Sequence, residues 1–379
     1  MKNLINYENA LVNAGDDSRI VNVMQRALNG EKLTLAFLGG SITQGCLATT
    51  PEGCYAGLTY KWWQDAFPKA DFTYVNAGIG GTTSHLGTAR VEEEVLSHKP
   101  DFVIVEFSVN DADDSEHFKE TYEGLVRRIL KADWAPALLL VHNVRYDDGG
   151  NAEAIHLPVG KHYNLPSVSM KSTIYELVAT GKIKNRDVTE DDLHPNDAGH
   201  GLVAEVITYY LKQVKAKAEE LQAKASGTEV TRCAVETLPA PITANGYENA
   251  HRYRNDELQV VSNEGFVKDE TPQSCVSDCF KKGFTASNLN DKIVFIVEGE
   301  SIGVQFKRTK QGPVPVAKIT VDGEHSLILD GNFDEDWDCL ALETVVEHGK
   351  AGKHTVEVEI IETHENDREG FYLVSLITA

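Results

Sequence analysis

The stretch LTLAFLGGSITQG (residues 33–45) joins an apolar run to two glycines, a serine and a polar turn. An uninterrupted apolar run of this kind predicts a strand that is buried on both faces of a parallel sheet. The glycines allow a tight turn after the strand, and a helix can begin there. Ser41 would then either cap that helix or stand at the carboxyl end of the strand as a nucleophile. Taken alone, the stretch does not decide between these two roles.

Further apolar runs alternate with amphipathic stretches through the first half of the chain. The predicted strands cover residues 33–39, 72–78, 100–108 and 136–144, and the predicted helices cover residues 57–67, 85–97, 117–132, 166–181 and 196–225. Alternation of buried strands with helices is typical of a three-layer α/β/α domain that is built on a parallel sheet. We therefore predict this fold class for the first half.

The pattern changes after residue 225, where the segment ASGTEVTR ends the helical periodicity. Short strand-like runs follow at residues 258–262, 292–308, 317–331, 354–363 and 371–378. Asp322-Gly323 between two such runs predicts a hairpin turn. The sequence thus predicts a catalytic domain over residues 1–225, a linker over 226–231 and an antiparallel β-sandwich over 232–379.

Composition narrows the classes of partner. The 379-residue chain has a formal net charge of -22, which makes nucleic acid and anionic membranes poor partners. No apolar run approaches the length that spans a membrane, and the N-terminus lacks the layout of a signal peptide. The six cysteines have neither a C-x-x-C pair nor the His spacing of a zinc site. We therefore expect a cytoplasmic protein with reduced cysteines and no structural zinc.

Polar residues follow the other predicted strands as well. The segment NAGIGGTTS (76–84) follows the second strand, FSVND (107–111) the third, and DDLHPNDAGH (191–200) comes after the last. In an open α/β sheet, ligands bind at the carboxyl ends of the strands. One edge would therefore gather a serine, a glycine N–H, an asparagine amide and an Asp/His pair. These groups are the nucleophile, oxyanion donors, base and base orienter that acyl transfer needs.

The four blocks, in this order, resemble those of the SGNH (GDSL-type) hydrolases. The resemblance covers roughly residues 33–215 and implies roles for five residues. Ser41 matches the nucleophile, Gly81 the glycine of the second block and Asn110 the asparagine of the third. Asp191 and His194 match the D-x-x-H element. The resemblance implies a Ser-His-Asp triad, and an oxyanion hole formed by Ser41, Gly81 and Asn110.

Two blocks depart from the family pattern. The first reads G-G-S-I instead of G-D-S-L, as acetylesterase-like branches commonly do. The third reads S-V-N-D instead of G-x-N-D, so that Ser108 replaces a glycine. The implied mechanism is base-assisted attack of the serine on an ester, followed by hydrolysis of the acyl-enzyme. It requires no metal and no organic cofactor, and we predict none.

Some neighbouring residues leave alternatives open. Asp192 is the rival acid, although the three-residue spacing of the family favours Asp191. Gly80, next to the second-block glycine, is a candidate for substrate binding. His142, near the end of the fourth predicted strand, and Arg145, just after it, are candidate substrate contacts at the same edge. Trp337 in the second domain is either a sugar platform or a buried anchor of the sandwich.

The second domain adds a hint about substrate. Trp337 lies in the acidic loop DGNFDEDWDCL (330–340), which lacks the glycine and glutamate of an EF-hand, although another kind of calcium site stays open. An SGNH domain followed by a β-sandwich is similar to bacterial carbohydrate O-acetylesterases acting on hemicellulose oligosaccharides such as acetylated mannan. We therefore expect an acetylated oligosaccharide as the substrate and a carbohydrate-binding sandwich. The alternatives are a lysophospholipase or thioesterase of the same fold, and an inactive sugar-binding protein. The oligomeric state is left open.

Overall fold

The computed structural model describes residues 1–224 and 230–379. These residues form two compact units, Met1–Gly87 with Val91–Asn245 and Thr88–Arg90 with Gly246–Ala379. Residues 226–229 of the predicted linker lie outside the described residues. In the described part of the chain, no helix combines the length and the apolar character needed to cross a bilayer.

Residues 232–245 belong to the first unit, whereas the sequence prediction assigned them to the second domain. Hydrogen bonds explain their placement. Arg127 donates to the carbonyl of Pro239 at 2.9 Å, and the buried carboxylate of Glu123 accepts the N–H of Ile242 at 2.8 Å. This segment covers polar groups of the first unit although it has no helix or strand of its own. The outer limits of the two domains stay a prediction.

The first unit is built on a six-stranded sheet. Its strands are β1 (Leu11–Asn13), β2 (Lys32–Gly39), β3 (Asp71–Gly78), β4 (Phe102–Glu106), β5 (Ala137–His142) and β6 (Ser167–Ser169). They lie in the order β1-β6-β5-β4-β2-β3. Strands β2 to β6 pair in parallel, and β1 pairs antiparallel with β6. The predicted parallel sheet is confirmed, and an antiparallel edge strand is added to it.

Helices complete the α/β unit. They are α1 (Ser18–Leu28), α2 (Ser41–Gln44), α3 (Tyr55–Ala66), α4 (Ser84–Glu94), α5 (Glu116–Leu130), α6 (Glu153–His162), α7 (Glu176–Ala179) and α8 (Asp197–Lys224). Helices α1, α3 and α8 share one hydrophobic core with alternate residues of the strands, among them Leu35 and Phe37. The intervening strand residues, such as Ala36 and Leu38, are buried on the opposite face of the sheet.

The chain changes direction at β2, because β3 lies on one side of it and β4 on the other. Such a switch point leaves a crevice beyond the carboxyl end of the strand, and open α/β sheets bind ligands there. Ser41 begins the short helix α2 immediately beyond that end. The topology thus places Ser41 at the crevice, as the sequence predicted.

The predicted helix over residues 166–181 is wrong in its first half. Residues Ser167–Ser169 form β6, a π-helical turn covers Lys171–Tyr175, and only Glu176–Ala179 is α-helical. The three residues of β6 are a strand because they pair with β5 on one side and β1 on the other. Tertiary pairing overrides local periodicity in so short a segment.

The second unit consists of two antiparallel sheets. Its strands are β7 (His251–Tyr253), β8 (Gln259–Glu264), β9 (Val267–Lys268), β10 (Phe284–Ala286), β11 (Lys292–Gly299), β12 (Ile302–Arg308), β13 (Val316–Val321), β14 (His325–Asp330), β15 (Cys339–Val346), β16 (Gly352–Glu362) and β17 (Phe371–Thr378). One sheet has the order β15-β12-β17-β10-β9, with β7 also on β17, and the other has the order β14-β13-β16-β11-β8. Residues of both sheets, such as Phe295 and Phe306, share one core. The predicted sandwich is confirmed.

Candidate active site

The two glycines before Ser41 are required by close contacts. A Cβ on Gly39 would lie 2.2 Å from Thr43 Oγ1 and 2.4 Å from the carbonyl oxygen of Glu106. A Cβ on Gly40 would lie 2.3 Å from Oδ1 of Asn110. Side chains at these positions would therefore push apart the end of β4 and the start of α2. The glycines allow the first and third sequence blocks to meet.

The structure brings Ser41, His194 and Asp191 into one chain of hydrogen bonds. His194 Nε2 lies 2.8 Å from Ser41 Oγ, and His194 Nδ1 lies 2.6 Å from Asp191 Oδ2. A carboxylate only accepts hydrogen bonds, so Nδ1 carries a proton and Nε2 is free to accept the serine proton. This is the geometry of a nucleophile with its base and base orienter. The residues come from distant parts of the sequence, with Ser41 153 positions before His194.

The loop that carries the acid and the base is tied to itself. Asp191 Oδ1 accepts the backbone N–H of His194 at 2.7 Å and that of Leu193 at 3.0 Å. Asp192, the rival acid, has a left-handed backbone with φ of 72° and binds Arg186, whose Nη2 lies 3.0 Å from its Oδ2. The structure therefore places Asp191 and not Asp192 against the imidazole.

Electrostatics favour an ionised Asp191 beside a basic His194. Burial raises the pKa of Asp191, but hydrogen bonds from His194 and Leu193 bring it below its ordinary value. Burial lowers the pKa of His194, whereas interactions with Cys46 and with the Asp191 carboxylate raise it to about 9. An imidazole of raised basicity is a strong acceptor for the serine proton.

Ser41, Gly81 and Asn110 are the candidate oxyanion donors. Ser41 is the first residue of α2, so its N–H has no partner in a preceding helical turn. The side chain of Asn110 lies against Gly40. Gly81 is exposed with φ of 69°, a conformation that glycine adopts without strain. The roles of these three groups stay predictions, which the placement of Ser41 and Asn110 supports.

Gly80 also lies beside the nucleophile. A Cβ on Gly80 would lie 3.7 Å from Ser41 Cβ, and the Gly80 N–H donates to Gln44 Oε1 at 2.7 Å. That N–H is therefore occupied. Gln44 was not singled out from the sequence, where it is one polar residue in a turn. In the structure it joins the first block to the second.

The more peripheral candidates differ in their placement. His142 has no exposed surface, so the structure contradicts its prediction as a substrate contact. It is buried because it ends β5 within the sheet and not beyond it. Arg145 is half exposed and forms ion pairs with Asp147 at 3.0 Å and Asp148 at 3.5 Å. Trp337 lies in the second unit, in the loop between β14 and β15, and is 40% exposed.

Sequence reasoning missed a buried polar cluster next to Asn110. The Asp111 carboxylate accepts the N–H of Ser84 at 2.9 Å and lies 2.9 Å from His156 Nε2. The ring of His156 stacks on Tyr122 with 3.6 Å between the centroids. A signal for this cluster exists in the sequence, where Glu106 is an acid inside the predicted strand 100–108 and Asp111 follows shortly after that strand. Their partners lie too far along the chain to be identified by spacing.

Comparison with known proteins agrees with this geometry. The family model of the GDSL-like lipase/acylhydrolase family matches residues 37–202. The chain is 53% identical to a solved two-domain esterase active on acetylated mannans, which was co-crystallised with mannopentaose. The match covers 99% of this chain and 98% of that one, with a TM-score of 0.92.

More distant relatives match just under half of the chain. An acetylxylan esterase of Geobacillus stearothermophilus is 24% identical over 204 residues, which are 46% of this chain and 91% of that protein. The thioesterase 1/protease 1/lysophospholipase L1 of Escherichia coli K12 is 24% identical over 181 residues, 45% of this chain and 80% of that protein. The predicted resemblance is confirmed, and the chain belongs to the GDSL-like lipase/acylhydrolase family.

Proposed function

We propose that this chain is a serine esterase that removes O-acetyl groups from hemicellulose-derived oligosaccharides, with mannan oligosaccharides as the favoured substrates. The observation that carries the proposal is the hydrogen-bonded chain from Ser41 through His194 to Asp191. The esterase active on acetylated mannans, at 53% identity over nearly the whole chain, supports the choice of sugar.

The geometry supports a two-step mechanism. His194 Nε2 takes the proton of Ser41 as Oγ attacks the acetyl carbonyl carbon, and Asp191 stabilises the resulting imidazolium. The N–H groups of Ser41 and Gly81 and the amide of Asn110 would stabilise the tetrahedral oxyanion. As the intermediate collapses, the bond from the acetyl carbon to the sugar oxygen breaks, and the imidazolium gives its proton to that oxygen, which leaves as a hydroxyl. Water, activated by the same histidine, hydrolyses the acetyl-enzyme and releases acetate.

The chemistry and the substrate need separate tests. Ser41→Ala should abolish hydrolysis of p-nitrophenyl acetate while thermal unfolding stays close to that of the wild type. Mass spectrometry of acetylated mannan, xylan and pectin oligosaccharides after incubation should show stepwise loss of acetyl groups from mannan in particular. Retained activity in Ser41→Ala would refute the nucleophile, and loss of acetyl groups from xylan or pectin alone would refute the choice of sugar.

A lysophospholipase or thioesterase is the second candidate, because the Escherichia coli relative bears those names. A series of p-nitrophenyl esters from acetate to octanoate separates the two candidates. An acetylesterase should show the highest kcat/KM with acetate. A maximum at octanoate would favour the second candidate. The third alternative, an inactive sugar-binding protein, would hydrolyse none of these esters.

We also propose that the second unit binds carbohydrate and that the protein is cytoplasmic. Carbohydrate binding is supported by Trp337, which is exposed enough to stack on a sugar ring. The cytoplasmic location is supported by the absence of disulfides at five cysteines, which are Cys46, Cys54, Cys233, Cys275 and Cys339. Trp337→Ala in the Ser41→Ala background should weaken binding of mannan oligosaccharides in calorimetry. Unchanged affinity would leave Trp337 as a packing residue. Fractionation of the native host cells tests the location.

A further inference from the structure

An acidic side chain is buried at the end of β4, directly behind the loop that carries Asn110. Glu106 has no exposed surface, and within residues 1–224 and 230–379 no ion pair reaches it. The titratable groups that interact with its charge are Asp111, Tyr55 and Tyr122. None of these carries a positive charge, so an ionised Glu106 would lack compensation. Burial of an uncompensated carboxylate strongly favours the neutral acid.

Ser108 is the main partner of Glu106. Its backbone N–H donates to Glu106 Oε1 at 3.0 Å, and its Oγ lies 2.8 Å from the same oxygen. Ser108 Oγ also lies 3.0 Å from the carbonyl oxygen of Asn143. The carbonyl of Ser108 accepts the N–H of Ala152 at 2.6 Å. Every polar group of Ser108 is thus engaged. This residue is also the one that departs from the glycine of the family motif.

Counting protons distinguishes the two states of Glu106. Ser108 Oγ has one proton but contacts two oxygens, and an ionised Glu106 supplies none. One of the two contacts would then lack a hydrogen. If Glu106 is neutral, its O–H donates to Ser108 Oγ, whose own proton goes to the carbonyl of Asn143. Both contacts are then hydrogen bonds. Burial acts in the same direction, since it raises the pKa of Glu106 to about 7 against the hydrogen bonds from Ser108.

This chain lies two residues before the candidate oxyanion donor. The Asn110 N–H donates to the carbonyl of Phe107 at 3.1 Å, so Asn110 belongs to a tight turn that contains Ser108. Oδ1 of Asn110 is buried and has no hydrogen-bond partner among the residues that the structure describes. No hydrogen bond to Oδ1 therefore orients the Asn110 amide. The backbone of the turn and the contact with Gly40 must do so.

We propose that Glu106, as a neutral acid, and Ser108 form a buried clamp that positions the amide of Asn110 for oxyanion stabilisation. The proposal rests on the proposed esterase function, in which Asn110 is one of the donors. Glu106 and Ser108 are positioning residues, because they act on the reaction only through Asn110. The hydroxyl of the serine that replaces the family's glycine adds a second contact to Glu106 beside the backbone N–H of the same residue.

A double-mutant cycle tests the clamp. Ser108→Ala should lower kcat for p-nitrophenyl acetate about 10-fold with little change in KM, less than the roughly 100- to 1,000-fold expected for Asn110→Ala. In the Asn110→Ala background, Ser108→Ala should cost almost nothing, because the group it positions is gone. Ser167→Ala removes another buried hydroxyl in the same sheet and should leave kcat unchanged. The proposal would be overturned if the kcat losses of the two single variants multiplied in the double variant. Full activity of Ser108→Ala would overturn it as well.

The protonation of Glu106 has a test of its own. Glutamine at this position presents an oxygen that cannot donate to Ser108 Oγ, or a nitrogen that cannot accept the Ser108 N–H. Glu106→Gln should therefore lose as much activity as Ser108→Ala, and full activity would refute the neutral acid.

Infrared spectroscopy of the Ser41→Ala protein supplies a readout that is independent of the reaction. At about pH 6, where exposed carboxyl groups are ionised, it should show a protonated-carboxyl band that the Ser41→Ala/Glu106→Gln variant lacks. Absence of the band would refute the neutral acid even if the variants do not fold well. Lack of esterase activity in the wild type would instead refute the proposed function.

Discussion

Replacement of Gly40 by alanine should damage catalysis far more than folding. The new Cβ would lie 2.3 Å from Asn110 Oδ1, whereas real Cβ contacts essentially never fall below 3.0 Å, so the amide must retreat by about 0.7 Å. The colliding atom is the end of a side chain and can turn away. The backbone of Gly40 has φ of -89°, which lies outside the left-handed region that favours glycine. The cost therefore falls on the position of the Asn110 amide.

The size of the effect follows from the role of that amide. Loss of one oxyanion donor costs about 100- to 1,000-fold in kcat, or about 3 to 4 kcal/mol of transition-state stabilisation. A misplacement of about 1 Å can cost on the order of 100-fold. We therefore expect kcat of Gly40→Ala to fall about 100-fold with KM nearly unchanged, because the amide acts on the transition state. Overpacking costs about 1 to 3 kcal/mol of folding stability, so assays belong well below the unfolding temperature.

Initial rates with p-nitrophenyl acetate, together with thermal unfolding, measure both quantities. Gly201→Ala is the matched control, since Gly201 lies in α8 and a Cβ there meets nothing within 4 Å. It should keep full activity and gain about 0.5 to 1 kcal/mol of stability. Wild-type kcat in Gly40→Ala would refute the reasoning. So would an equal further loss in the Asn110→Ala background, because Gly40 would then act by another route.

Two pH dependences follow from the histidines. Because neutral His194 is the proposed base, and its hydrogen bonds outweigh the effect of burial on its pKa, kcat/KM should rise with pH to a midpoint above the ordinary value of 6.5; a wild-type midpoint at or below 6.5 would contradict this. In the second unit, both nitrogens of His354 face acceptors, Asp322 Oδ2 at 2.6 Å and the carbonyl of Lys350 at 2.8 Å, so the ring is an imidazolium. Burial lowers the pKa of His354, but Asp322 raises it above 6.5. Its stabilisation is complete below pH 6.5 and is lost as pH rises through the folded-state value. Asp322→Asn should therefore lower the free energy of unfolding in urea more at about pH 6 than at about pH 9, and an equal loss at both would refute the imidazolium.

The sequence predicted those parts of the fold that local patterns determine. Strands β4 and β5 are buried at every position, and their long apolar runs leave a clear signal in the sequence. Strand β6 has three residues and forms because it pairs with β1 and β5, so the local sequence does not predict it. His142 was misjudged for a related reason. Its position near a strand end was correct, but its burial depends on what packs around that end.

The candidate active site likewise has one part that local sequence specifies and another part that depends on tertiary contacts. Asp191 and His194 belong to one short loop, in which the carboxylate binds the imidazole and the backbone N–H of the same residue, so their spacing alone specifies their geometry. Asn110 has no such local support. Its side chain contacts Gly40, and its turn is bonded through Ser108 to Glu106. Glu106 ends β4, a strand that forms only as part of the sheet. A motif therefore identifies the base and its acid almost completely. It identifies the candidate oxyanion donor only in name, because the position of that donor depends on a contact between two blocks, Gly40 with Asn110, and on Glu106, which lies outside the motif.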